Sequence, residues 1–256
     1  NREYGLESAC HLTCVGSSRA DIDRILADIH RANIENIVAL RGDPPKGETS
    51  FVPPCDGYAH ANELVGHIRR FERQLIQSSP HASCEEGHVL RSETATTPSS
   101  VDGFAGFGIA VAGYPEKHIE ASDMATDLAN LKRKVDAGAD VVVTQLFYDN
   151  AEFFQFVESA RVVGVTQPIV PGLLPILSGK QIRRITSMCG TKIPPALQAE
   201  LEAVGDDDVA AEEVGVRQCV AQATELLRRG APGIHFYVLN KSSHMRRIME
   251  QLAPVI

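Results

Sequence analysis

The feature that most limits what this chain can become is the regular return of a short apolar run followed by a helical period. Ala9 to Val15, Asn36 to Gly42, Gly108 to Pro115, Asp140 to Phe147, Pro168 to Pro175 and Gly233 to Asn240 read as strands. Helical patterns follow at about Ala20 to Ala32, Asn62 to Gln77, Ser122 to Ala137, Ala151 to Val163, from Ser178, Ile193 to Ala203, Val209 to Arg229 and Ser243 to Leu252. Strands that are apolar throughout, rather than alternating, are covered on both faces, and strand–helix alternation builds a parallel sheet. Six such units point to an α/β fold, a (β/α)8 TIM barrel with about six of its eight units present. An open, doubly wound sheet is the alternative; no GxGxxG follows any strand, which counts against its dinucleotide-binding form.

The punctuation supports these boundaries. Ser17 and Ser18 are placed to cap the first helix, Gly138 to close the third, and Asp208 to cap the long helix that follows it. Breakers fill Pro44 to Gly57, so no regular element is expected there. From about Ser78 to Phe104 the chain is rich in Ser, Thr, Glu and Gly without periodicity, so a disordered insertion is expected near 78–104, with no functional site in it.

A net charge of −8 argues against a nucleic-acid or anionic-membrane partner. No apolar run approaches the ~20 residues of a membrane helix, and no signal peptide is expected. The six cysteines show no paired spacing, which predicts reduced thiols and a cytoplasmic protein. With Asn1 first, a fragment or processed form is expected, forming a single domain over 1–256.

In a parallel α/β fold, ligands gather where strands end. The second strand ends in Arg41-Gly42-Asp43, which delivers a cation, a residue without Cβ and a carboxylate together. A strand running into an ordinary polar turn would look the same. The other exits carry His11, Tyr114, His118, Gln145, Tyr237 and Lys241. This set has no metal-ligand logic, so no metal is expected, and it contains no Ser-His-Asp or Cys-His arrangement. Tyrosines, amides and one Arg–Asp pair suit a flat, polar aromatic ligand. On the third helix, Asp127, Asn130 and Lys134 share a face. That face is either solvated and self-paired or a clamp for phosphate and ribose, with Arg133 or Lys134 on the phosphates.

Taken in order, His11-Leu12-Thr13-Cys14, Ala39-Leu40-Arg41-Gly42-Asp43, Ala112-Gly113-Tyr114-Pro115-Glu116-Lys117-His118, Asn130 to Ala139, Thr144-Gln145-Leu146-Phe147, Pro171-Gly172-Leu173-Leu174-Pro175 and His235 to Asn240 resemble the catalytic domain of the methylenetetrahydrofolate reductases. The resemblance covers the chain apart from the insertion. It implies a flavoprotein oxidoreductase of one-carbon and folate metabolism, serving methionine biosynthesis. Such an enzyme reduces 5,10-methylenetetrahydrofolate to 5-methyltetrahydrofolate by ping-pong hydride transfer through FAD, with NADPH or NADH as donor. It implies that His11, Arg41, Gly42, Asp43, Ala61, Tyr114, His118, Asp127, Asn130, Arg133 and Lys134 line FAD. It further implies that Asp43 is catalytic, tuning the flavin and steadying charge on the folate, and that Asp43, Gln145, Gln181, Tyr237 and Lys241 contact folate. The family has Arg where Lys241 stands, so the bidentate fork is lost there. A homo-oligomer is expected.

The family's first strand carries a general-acid glutamate that has no counterpart in this chain, in agreement with the two missing barrel units. No general acid is assigned, Glu116 included, and the fragment is expected to be less than a self-sufficient enzyme. Two other readings remain open: a non-catalytic, flavin-binding barrel remnant, and an unrelated barrel aldolase or lyase. The latter needs a Schiff-base lysine at a strand end, and the strands offer none.

Overall fold

The structure is a computed structural model that describes residues 5–44, 47–48, 50–78 and 104–254. Most of the expected insertion, residues 79–103, lies outside the described residues. The described chain forms two compact units, Asn1–Ala110 with Ala137–Ala139, and Val111–Asp136 with Asp140–Ile256.

In the first unit, β1 (Ala9–Thr13) and β2 (Asn36–Leu40) pair in parallel, with His11 opposite Val38 and Thr13 opposite Leu40. β3 (Gly108–Gly113) begins in this unit beside β2 and runs on into the second. Helix α1 (Arg19–Arg31) connects β1 to β2. Ser18 accepts the Asp21 N–H while the Asp21 carboxylate takes the Ser18 N–H, a complete capping box. Ile22, Leu26 and Ile29 repeat at helical spacing and are buried. Helix α2 (Ala61–Ser78) buries Leu64, Val65 and Ile68.

One side chain of α2 ties several chain turns together. Arg69 donates to the Gly138 carbonyl from Nε at 3.0 Å and Nη2 at 2.8 Å, to the Phe107 carbonyl at 2.8 Å, and pairs with Glu72 at 2.7 Å. Glu72 in turn lies where a Cβ on Gly106 would be, and Gly106 has φ +119°, so glycine answers both demands. A second buried network joins the two helices. The Tyr58 hydroxyl meets His67 Nδ1 at 2.7 Å, and His67 Nε2 meets Asp23 of α1 at 2.8 Å.

In the second unit, β3 neighbours β4 (Val141–Thr144), which pairs in parallel with β5 (Ile169–Val170). A separate pair joins β6 (Gly172–Leu173) to β7 (His235–Phe236), also in parallel. Helices α3 (Met124–Asp136), α4 (Asn150–Val162), α5 (Gly179–Cys189), α6 (Pro195–Val204), α7 (Asp208–Arg228) and α8 (Ser243–Leu252) complete the unit. The α/β succession with parallel strands is the one the apolar runs imply.

Three boundaries differ from expectation for local reasons. The single strand expected over Pro168 to Pro175 is two strands in different sheets, split at Pro171, which has no N–H for a ladder. The last strand is only His235–Phe236, because Leu239 and Asn240 adopt φ of 51° and 59°. The long helix α7 is capped by Asp207, which accepts the Val209 and Ala210 N–H groups, rather than by Asp208. Glycine is required at Gly215, where a Cβ would run into the Ile176 carbonyl and lie 2.8 Å from the Ile176 Cβ.

Candidate functional site

In the first unit the strand exits hold the residues expected there. The Arg41 carbonyl accepts the Cys14 N–H at 3.0 Å and the Val15 N–H at 3.1 Å, so the ends of β1 and β2 are bound to each other beyond the ladder. Gly42 follows with φ +89°, and a Cβ there would lie 2.7 Å from Val15 Cγ1. The residue type is therefore fixed by backbone conformation and by packing together. The Arg41 guanidinium lies over the Phe51 ring, 5.5 Å from its centroid. Asp43 and His11 are exposed, and Ala61 is half-buried as the first residue of α2.

The second unit holds a denser cluster. After β3, Tyr114 and His118 meet edge to face, with ring centroids 4.6 Å apart. Lys134 of α3 reaches back to donate to the Ala112 carbonyl at 2.6 Å, and its Nζ stands 5.6 Å from the Tyr114 ring centroid. Asp127, one turn into α3, is buried and accepts the His118 N–H at 3.0 Å. Burial lowers the Lys134 pKa from 10.5 to about 8, with Asp127 opposing that effect. Burial raises the Asp127 pKa, opposed first by the His118 N–H and then by the Lys134 charge. Thus α3 is divided. Asp127 and Lys134 turn inward, while Arg133 is exposed and spends a donor on Asn130 Oδ1 at 2.6 Å. The inward pair bonds to the backbone at His118 and Ala112, and the Arg133–Asn130 pair bonds to itself.

The residues expected to touch the second ligand have defined hydrogen-bond polarity. Gln145 Oε1 accepts the Leu146 N–H at 2.9 Å, and Gln181 Oε1 accepts the Leu177 N–H at 2.9 Å. Each glutamine therefore keeps its amide nitrogen as the group that can donate to a ligand. The Tyr237 hydroxyl donates to the Thr144 carbonyl at 2.8 Å, and burial, with a smaller contribution from Cys189, raises its pKa to about 12. Leu146 and Ile182, next to the two glutamines, belong to one apolar cluster against which Tyr237 packs. Lys241 is exposed.

Two residues that the motif pattern does not single out prove to be central here. Thr144 is fully buried, and its hydroxyl accepts the Gly172 N–H at 2.9 Å while its carbonyl takes Tyr237. Gly172 has no room for a Cβ, which would overlap the Thr144 carbonyl and lie 2.7 Å from Tyr237 Cε2. The Thr-Gln and Pro-Gly pairs in the motifs were the available signal. Glu116 accepts the Lys192 N–H at 2.9 Å, and burial raises its carboxyl pKa. Among the described residues no cluster of His, Cys, Asp or Glu could hold a metal ion. No helix among them is long and apolar enough to cross a membrane.

Comparison with known proteins agrees with the motif order. The chain is 40% identical over 244 residues to "Methylenetetrahydrofolate reductase (NADH) 1" of Arabidopsis thaliana, covering 92% of this chain and 36% of that protein. It is 31% identical over 249 residues to "Probable methylenetetrahydrofolate reductase (NADPH)" of Caenorhabditis elegans, covering 97% of this chain and 32% of that protein. It is 33% identical over 238 residues to "5,10-methylenetetrahydrofolate reductase" of Salmonella typhimurium, covering 93% of this chain and 67% of that protein. The chain thus spans little more than a third of the plant relative's length. The family model for methylenetetrahydrofolate reductase matches residues 1–95 and 99–253, nearly the whole chain, and the chain belongs to that family.

Proposed function

We propose that the chain is the catalytic portion of a flavin-dependent methylenetetrahydrofolate reductase, with FAD as cofactor, NADH or NADPH as electron donor and 5,10-methylenetetrahydrofolate as substrate. The family match along nearly the whole chain carries this reading. A single catalytic domain acting in the cytoplasm as a homo-oligomer belongs to the same proposal. The free cysteines among the described residues (Cys10, Cys14, Cys55, Cys189 and Cys219) suit a reducing compartment.

The residues present fit the chemistry of FAD. In the second unit, Lys134 is a half-buried cation with buried Asp127 beside it and the Tyr114 ring at hand, a set able to take an anionic phosphate, a hydroxyl and a flat ring. In the first unit, Gly42 packs against Val15 at a strand exit, with Arg41 before it and Asp43 after it as the charged groups a ligand could meet. His11, Ala61, His118, Asn130 and Arg133 join the proposed FAD set. When bound, FAD would relay hydride from the pyridine nucleotide to the folate. Gln145 and Gln181 would donate amide N–H bonds to folate acceptors, Tyr237 would pack against it, and Lys241 would offer charge to its anionic tail. Asp43 would steady positive charge developing on the folate during ring opening.

The test is an absorbance spectrum after adding FAD and removing the excess, followed by the Asp43→Asn variant. A retained flavin band is expected, and the variant should keep it while slowing reduction of folate far more than oxidation of the nicotinamide. Absence of the band in the full-length protein would refute the flavin assignment. Equal slowing of the two half-reactions would refute the role of Asp43.

A further inference from the structure

A cavity of about 460 Å³ opens between α5 and α6, on residues that the proposed reductase chemistry does not use. That volume is in the range of small-molecule pockets. Its wall is divided by chemistry. Ile182, Ile193 and Leu201 supply an apolar floor, with Ile182 and Leu201 buried. At one side stands Arg183, which has no carboxylate partner among the described residues and whose guanidinium lies above Gly179. At the other side stands Glu202, whose carboxylate is held by Gln198 Nε2 at 2.8 Å.

The hydroxyls around the cavity narrow the choice of ligand. Thr186 donates to the Ile182 carbonyl at 2.8 Å, Ser187 to the Arg184 carbonyl at 2.9 Å, and Thr191 to the Leu146 carbonyl at 3.1 Å. Each hydroxyl proton is already committed, so toward the cavity these groups act as acceptors. Arg183 is then the one cationic donor on this wall, Gln198 keeps a second amide hydrogen, and Glu202 and the hydroxyls accept. A ligand matched to this wall has an anionic end for Arg183, a cationic N–H-bearing end for Glu202 and the hydroxyls, and an aliphatic body for the floor. We infer that the α5–α6 cavity is a second ligand site, for a free α-amino acid with an aliphatic side chain. Arg183 and Glu202 are exposed, so a simple carboxylate engages Arg183 alone and a simple amine engages Glu202 alone, and only the zwitterion uses both charges.

The test uses the intact protein with Ile δ1 methyl groups labelled for NMR, with Ile182 and Ile193 as reporters. L-leucine is titrated in parallel with 4-methylpentanoate, which lacks the ammonium, and 3-methylbutylamine, which lacks the carboxylate. Saturable shifts of both reporters are expected with leucine and not with either analogue. Arg183→Gln is expected to weaken leucine by up to about fivefold, and Glu202→Gln to weaken it similarly. The proposal is overturned if leucine gives no saturable shift, if either analogue matches leucine, or if Arg183→Gln titrates like the parent. None of these readouts depends on flavin or on turnover, so failure here leaves the reductase proposal as it stands.

Discussion

Replacing Lys134 by Met should make the protein more stable at neutral pH, and the size of the effect should disappear in alkali. Burial displaces the Lys134 pKa from 10.5 to about 8. A gap of about 2.5 in pKa corresponds to about 3 kcal/mol of unfavourable free energy for holding the charged form in the fold. Below pH 8 the lysine is protonated in both folded and unfolded chains, so the full cost is present. Between about 8 and 10.5 the folded chain gives up its proton first, the unfolded chain binds more protons, and stability rises with pH. The Met variant avoids the cost but also loses the hydrogen bond to the Ala112 carbonyl, worth about 1 kcal/mol. The expected gain is therefore about 2 kcal/mol at pH 7, falling to about zero by pH 10. Urea unfolding of both proteins at pH 7, 8.5 and 10 measures the difference directly, and titrating groups that do not interact with Lys134 cancel between them. A variant less stable than the parent at pH 7, or equally more stable at every pH, would refute the reasoning. On the proposed reading the same variant should lose affinity for FAD, because the cation that burial destabilises is the one that would pair with a phosphate.

Further perturbations follow from close contacts and buried charge. Gly172→Ala should destabilise by about 2–4 kcal/mol, since the added Cβ displaces Tyr237 or the Thr144 carbonyl, and chemical unfolding with Tyr237 fluorescence should report both. Arg69→Met should cost about 3 kcal/mol or more, because Glu72 is left buried without its partner. Adding Glu72→Gln should recover part of that loss in a thermal melt, and no recovery would assign the cost to the Gly138 and Phe107 carbonyls instead. Ser18→Ala should cost about 1 kcal/mol by opening the α1 capping box, with Ser18→Gly costing much less.

Much of this architecture was legible in the sequence because the signals are local. Ile22, Leu26 and Ile29 announce α1 by spacing alone, and Ser17-Ser18 announces its start, while the partner Asp21 emerged from the structure. The strand exits at Arg41-Gly42-Asp43 and Tyr114 were legible for the same reason. What escaped depends on partners distant in sequence. Pro171 divides a continuous apolar run because its two halves find different strands, β4 and β7, and nothing in Pro168 to Pro175 reveals that. Spacing places Asp127, Asn130 and Lys134 on one side of α3, but only the bond from Lys134 to the Ala112 carbonyl separates the inward pair from the self-paired one. Thr144 was visible only as the residue before Gln145 in its motif, since its roles involve Gly172 and Tyr237, which lie far along the chain. Asp207 and Asp208 are adjacent carboxylates, and composition cannot choose the cap between them.

The bond from Tyr237 to the Thr144 carbonyl has a consequence for the kind of molecule this tyrosine can recognise. A phenol has one proton, and here it points into the protein. What faces outward is lone-pair density on a group whose pKa, at about 12, keeps it neutral. A ligand atom that approaches this oxygen must therefore bring its own hydrogen. An amine or amide N–H would be welcomed, and a carbonyl or carboxylate would be turned away. Gln145 and Gln181 have the opposite polarity, presenting hydrogens and asking for lone pairs. On the proposed reading, in which all three contact the folate, they would sort the edges of its heterocycle by orientation as well as by size, accepting it one way round and refusing it flipped.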